Sequence, residues 1–140
     1  MALPSVGGGS QIGDGNLNEI KLGALSAPQT ATATATLTVA QTTGGILVGN
    51  PSTTAATYTF PTAALLDAGL SNVKIGSTFE LTIINLGTST GLITVAGGTG
   101  VTAVGNLVIG ITGSVAGVGA AAQFVFRKTG DGAYSVYRTA

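Results

Sequence analysis

The groups in this chain that can move protons or carry charge are few and scattered. Its acids are Asp14, Glu19, Asp67, Glu80 and Asp131, and its lysines are Lys21, Lys74 and Lys128. A paired-carboxylate site or a Ser–Lys nucleophile would have to be built from these. Local spacing brings no two of them together. His and Cys are absent, which removes the commonest general base, the commonest metal ligand and the thiol nucleophile. Each acid also has a routine structural place. Asp14 and Glu19 lie in the N-terminal stretch, Asp67 sits at a helical turn, and Glu80 is on the polar side of a strand. Asp131 falls in a tight turn, where Asp bonds its own backbone. The expectation is a protein that is not an enzyme.

The glycine-rich pieces are weighed the same way. Gly97-Gly98-Thr99-Gly100 looks like a phosphate loop but lacks the following Lys and Ser or Thr, and it opens no helix. Asp131-Gly132 in TGDGAY lacks the further acids that a calcium loop needs. Neither supports a cofactor, a metal or a small-molecule substrate. Five basic and five acidic residues cancel, so no basic field exists to attract a phosphate backbone, and nucleic-acid binding is not expected.

Charged residues make up 7% of the chain, against about 25% in ordinary soluble domains. Thr, Ser, Ala and Gly take their place. A chain with so little charge does little to repel copies of itself, and much of its surface is expected to be covered by partners. Without Cys the redox compartment cannot be read. The opening MALPSVGGGSQ has neither the basic nor the apolar region of a secretory signal. Leu107 to Ala122 is the longest nearly apolar run. It is broken by Thr112, Ser114 and several glycines, so no membrane span is expected.

The elements that must carry these residues are mostly strands. Residues 1–29 show no sustained periodicity and read either as a disordered tail or as an arm that orders on a neighbour. Leu17, Ile20, Leu22 and Leu25 are the residues of that arm able to dock. From Thr30 to Val39, Thr alternates with apolar residues at strict period two, which predicts a strand with one threonine face. Further strands are expected at Ile46–Val48, Thr57–Phe60, Thr78–Leu86, Leu92–Ala96, Val101–Val104, Leu107–Thr112, Ala122–Lys128 and Tyr134–Arg138. Turns at Gly97–Gly100 and Thr129–Ala133 predict two hairpins.

Helix is expected only at Thr62–Ala68, capped by Thr62, with Leu65 and Leu66 facing the core and Gly69 ending it in a left-handed conformation. Thr78–Leu86 (TFELTIINL) is the best-patterned strand, with Phe79, Leu81 and Ile83 on one face. Phe124 and Phe126 share a face in the same way. These readings give an all-β domain over 30–140, an antiparallel β-sandwich or jelly roll with one short helical turn, preceded by an extended arm over 1–29. Phe79, Leu81, Phe124 and Phe126 are candidates for its core or for an interface between copies.

Several stretches together carry a family resemblance. They are FPTAALLDAGL (60–70), VKIGSTFELTIIN (73–85), LITVAGGTGVT (92–102) and FVFRKTGDGAYSVYR (124–138). In these the chain resembles small tailed-bacteriophage virion proteins, of the capsid-decoration or cement kind, over Leu37 to Arg138. The resemblance implies a β-sandwich or jelly-roll-like domain that forms a homotrimer on the outer capsid surface, after assembly in the host cytoplasm. It implies the major capsid protein as partner and clamping of adjacent capsomers as function, with no catalytic or cofactor residue to carry over. The alternatives are a trimeric tail-fibre, spike or host-adhesion module, and a self-assembling tube or surface-layer protein.

Overall fold

A computed structural model describes residues 23–112 and 120–140. Strands account for 42% and helices for 11% of the described residues, which are thus mostly β. In order the elements are β1 (Gln29–Ala31), β2 (Ala35–Thr36), α1 (Val39–Thr43), β3 (Ile46–Gly49), β4 (Ala56–Thr59) and α2 (Ala63–Gly69). Then come β5 (Thr78–Asn85), β6 (Ile93–Ala96), β7 (Val101–Val104), β8 (Val108–Ile109), β9 (Ala121–Gly130) and β10 (Ala133–Arg138). A six-stranded sheet has the order β1-β3-β5-β9-β10-β7, and a four-stranded sheet the order β2-β4-β6-β8.

The expectation of antiparallel pairing is corrected here, because both sheets are mixed. β1–β3, β3–β5, β10–β7, β2–β4 and β4–β6 are parallel. Only β5–β9, β9–β10 and β6–β8 are antiparallel. The cause is visible in the chain order. From β1 to β9 each successive strand lies in the other sheet, so the chain winds between the two instead of folding back on itself. Parallel neighbours cannot be joined by a tight turn; here the opposite strand, with α1 or α2, supplies the crossover, and between β7 and β10 strands β8 and β9 do. The hairpin expected at Gly97–Gly100 therefore does not form, and that turn carries the chain from β6 in one sheet to β7 in the other. The hairpin at Thr129–Ala133 does form, between β9 and β10.

The Thr30–Val39 strand is the second correction. It is broken into β1 and β2, which belong to different sheets, and ends in α1. Between them the Thr34 hydroxyl accepts from the Thr57 N–H at 3.0 Å. Thr38 then caps α1 through a reciprocal box. Its hydroxyl accepts from Gln41 N at 3.1 Å, and its own N–H donates to Gln41 Oε1 at 2.9 Å. Thr-x-x-Gln satisfies two orphan donors at once, and that local gain outweighs the strand preference of Thr. There are thus two helices among the described residues, not one.

α2 begins where expected. The Thr62 hydroxyl accepts from Leu65 N at 3.3 Å. Its core contact is narrower than expected: Leu66 is fully buried, whereas Leu65 is 54% exposed. Gly69 does not adopt a left-handed conformation. A β-carbon there would fall 2.7 Å from Val39 Cγ1, so glycine lets α2 close onto α1. Strand β8 is also shorter than Leu107–Thr112, and the run continuing through 113–119 lies outside the described residues.

Both sheets feed one core. Leu47, Leu81, Ile83, Phe124, Phe126, Tyr134 and Val136 come from the larger sheet, and Tyr58, Ile93, Val95 and Ile109 from the smaller, all essentially without solvent exposure. Gly49 on β3 permits a close approach of the two sheets, since a β-carbon there would lie 2.5 Å from Ile93 Cδ1. Phe60 packs edge-on to Phe126 at 4.7 Å and to Phe124 at 5.8 Å, while Phe79 stacks flat on Phe126 at 4.6 Å. Aromatic pairs in these arrangements add about 0.5–1.5 kcal/mol beyond their burial.

Candidate functional site

One pair of the charged groups considered from sequence does come together. Asp67 on α2 meets Lys128 on β9 in a salt bridge, with side chains 27% and 7% exposed. Period two explains Lys128: it follows Phe124 and Phe126 on the inward face of β9. The Tyr134 hydroxyl donates to Asp67 Oδ1 at 2.7 Å, and the Gly132 N–H donates to Oδ2 at 3.1 Å. The Lys128 ammonium lies 5.6 Å from the centroid of the Tyr134 ring. The bond from Lys128, then those from Tyr134 and Gly132, hold the Asp67 carboxyl down at about 2. Burial, with the neighbouring carboxylate, pushes the Tyr134 phenol up. Near neutral pH Asp67 is therefore charged and Tyr134 protonated. Neither is poised to exchange a proton, and the chemistry available to this cluster is that of a clasp between α2 and the β9–β10 hairpin.

A second polar cluster closes the opposite end of β5. Asn85 is fully buried. Its Nδ2 donates to the Gly91 carbonyl at 2.9 Å and the Gly110 carbonyl at 2.8 Å, with Ile109 O more distant at 3.4 Å. Its Oδ1 accepts from Gly87 N at 2.7 Å. The main chain joins in: Asn85 O accepts from the Thr112 hydroxyl at 2.8 Å, and Asn85 N donates to Ala120 O at 2.7 Å. One side chain thus fixes the 86–92 loop and the 109–112 segment together. Buried side-chain nitrogen and oxygen atoms without a partner do not occur among the described residues.

The other sequence candidates are placed as follows. Leu81, Phe124 and Phe126 are fully buried inside the single chain, and Phe79 is half-buried against Phe126. Glu80 is exposed on the outer side of β5 and accepts from Gln123 Nε2 at 3.2 Å. Asp131 is exposed in the β9–β10 turn. Leu25 is 61% exposed and lies against Gly45. Leu17, Ile20 and Leu22, like Asp14, Glu19 and Lys21, lie outside the described residues. No group of three metal-ligating acids occurs among the described residues, and none of their helices is long and apolar enough to cross a membrane.

Asn85 and the Asp67–Lys128–Tyr134 clasp were not singled out as a unit from sequence. A signal for two of them existed. The apolar alternation Phe79, Leu81, Ile83 continues to Asn85, and Phe124, Phe126 to Lys128, which puts both polar residues inside. What remains outside is the exposed face of the larger sheet and a set of scattered apolar side chains, including Leu65, Ile75, Val104 and Tyr137. No protein-family model, curated protein or solved structure matches the chain.

Proposed function

We propose that this chain is a non-enzymatic structural protein of a phage virion, a capsid-decoration protein that sits on the shell as a homotrimer and clamps neighbouring capsomers of the major capsid protein. One observation carries the reading. Three of the four stretches in which the chain resembles such proteins make up a contiguous structural unit: α2, β5 and the β9–β10 hairpin, joined by the Asp67–Lys128–Tyr134 clasp and the Phe60–Phe126–Phe79 stack; the fourth, 92–102, supplies β6 of the smaller sheet and the start of β7. The resemblance therefore falls on residues that build one packed body. The finer fold reading is a two-sheet sandwich, supported by the single core to which both sheets contribute.

On this reading the described polar side chains serve the fold, and retention on the shell comes from surface area and multiplicity. Three equivalent contacts made at once raise the effective concentration of each, so individually modest interfaces suffice. The arm residues Leu17, Ile20, Leu22 and Leu25 are the proposed shell contact. A strand added to a coat-protein sheet edge is one way such an arm binds.

The test is a capsid-binding assay with labelled protein, together with light scattering of the free protein. Full-length protein should bind shells in high copy number, and deletion of residues 2–27 should abolish binding while leaving a folded trimer. Unchanged occupancy after the deletion refutes the arm. Labelled copies found at the tail tip, few per particle, refute decoration and favour the tail-fibre or spike alternative.

A further inference from the structure

The outer face of the six-stranded sheet is the largest regular surface among the described elements. α1 and α2 do not cover it: Val39, Ala63 and Leu66 pack into the core, and Asp67 reaches the inward-facing Lys128. The strand registers define what this face presents. One row runs Glu80, Val125, Tyr137, Val104 across β5, β9, β10 and β7. The next runs Thr78, Arg127, Ser135, Thr102 across the same strands. Further along lie Thr82 beside Gln123 and Ile84 beside Ala121. Tyr137 is 38% and Val104 46% exposed.

Among the described residues, Glu80 and Arg127 are the only charges on this face. They lie on adjacent strands, on a diagonal of the square whose other corners are Thr78 and Val125. We propose that this face docks a second copy of the same chain, with Glu80 of each copy set against Arg127 of the partner subunit across a two-fold axis.

Symmetry makes the case. A two-fold axis lying in the contact plane and bisecting the Glu80–Arg127 diagonal exchanges the two positions, so both charges of each copy meet an opposite charge at once. No other occupant is specified so completely by one acid and one base. The axis then passes close to Thr78 and Val125, and each of these residues faces its own counterpart. Isologous contacts have this reciprocity. With strands about 4.8 Å apart and about 3.4 Å per residue, the six strands present on the order of 500 Å² per copy. Two faces together cover about 1,000 Å², the lower limit for a specific interface. The same spacings make the strands of the two copies cross about 20° from perpendicular, near the orthogonal class of sheet packing. This proposal does not rest on the capsid reading. It applies equally to a pair of single chains and to two trimers paired through all three protomers, which closes the assembly at a doubling.

The chain has no cysteine, so an introduced one reports contact without background. Facing positions in stacked sheets lie about 10 Å apart, beyond disulfide reach, so a short bis-maleimide should join Val125→Cys between copies, as it should Thr78→Cys. Thr102→Cys, at the far edge of the same face, should not be joined. Sedimentation velocity of the unmodified protein should show a dimer, or a doubling of any larger assembly.

Arg127→Glu places like charges against each other twice per interface and should weaken pairing by at least about tenfold. Glu80→Arg should do the same, and the double swap Glu80→Arg with Arg127→Glu should restore the original affinity. Both sites are exposed, and an unchanged circular-dichroism melt verifies that the fold is intact. A monomer at the highest soluble concentration, or a trimer that never doubles, overturns the proposal. Equal cross-linking of Thr102→Cys and Val125→Cys overturns it too, as does a double swap that binds no better than the single variants.

Discussion

Replacing Asn85 tests how the loop end of the molecule is held. Asn85→Ala leaves three backbone groups without their partner: the Gly87 N–H and the Gly91 and Gly110 carbonyls. An orphaned buried polar group costs about 1–3 kcal/mol. All three glycines are buried, so even the lower end of that range for each gives a large loss. The expected loss is about 3 kcal/mol in total, which for a domain of this size lowers Tm by about 10 °C. Urea titration measures the first figure and calorimetry the second. Amide exchange adds location, because the Gly87 N–H and the Thr112 N–H that donates to Gly87 O should lose protection before the β5–β9 ladder does.

Asn85→Asp sharpens the test, since it turns the donating Nδ2 into an oxygen aimed at two carbonyls. It should destabilise more than alanine at neutral pH and recover partly as the carboxyl protonates. Gln123→Ala removes only the exposed bond to Glu80 and should stay within about 0.5 kcal/mol. A loss below about 1 kcal/mol for Asn85→Ala, with Gly87 still protected, would show that the loops hold themselves and the reasoning is wrong.

Other expectations follow from the same geometry. The Asp67 carboxyl is held below its ordinary value of 3.8, at about 2, so the stability it contributes is fully present above the ordinary value and lost as pH falls through the lower one. Lys128→Met should flatten that acid limb in urea midpoints recorded against pH. Asp67→Asn should lower the neutral-pH midpoint more than Lys128→Met, because the stranded Lys128 is 7% exposed whereas a stranded Asp67 is 27% exposed. Burial raises the Tyr58 phenol above its ordinary 10.0, so its contribution is present below that value and lost as pH rises beyond it. Tyr58→Phe, which deletes the 2.9 Å bond to Ala31 O, should cost about 1 kcal/mol at neutral pH and make the alkaline loss shallower. Gly69→Ala drives a methyl into Val39 and should cost about 1–3 kcal/mol. Val39→Ala in the same chain should return part of that in a double-mutant cycle.

Most strands were legible in the sequence, and their partners were not. β5, β9 and β10 lie within about two residues of their expected bounds, because period two and β-branched content report half-buried strands directly. Period two says which face is inward. It does not say which strand lies alongside. Gly97–Gly100 has the composition of a hairpin turn, yet Phe60 N donates to Ala96 O, and Tyr134 N to Gly100 O. The two sides of the turn are thus claimed by different sheets. The Thr30–Val39 alternation misled for a related reason. Thr serves equally as a strand residue, as a helix cap at Thr38, and as a side-chain acceptor at Thr34. Only the Gln three residues after Thr38 distinguishes the cap. For the interior polar groups the signal was present, since Asn85 and Lys128 fall on the inward alternation of their strands. Their partners are remote in sequence: Gly110 O for Asn85, and Asp67 for Lys128. No local spacing could supply them.

The distribution of polar groups separates what builds this molecule from what it presents. Buried polar side chains spend their hydrogen bonds inside the fold, where a fully satisfied network specifies one arrangement of loops and helices. Outside, the larger sheet shows a broad face with one acid and one base, and the described residues gather no cluster of groups that would bind a small molecule through directed bonds. Such a surface gains affinity from area and repetition. A contact of about 4 kcal/mol holds a partner only at millimolar concentration. The same contact repeated on a rigid body with several copies becomes durable, because each engaged copy confines the next. Weakly charged, threonine-rich faces also lose little with salt, since few screened charges contribute. These are the properties expected of a protein whose work is to stay attached to many identical neighbours. They favour the outer sheet face, rather than either polar cluster, as the described surface on which the proposed function rests.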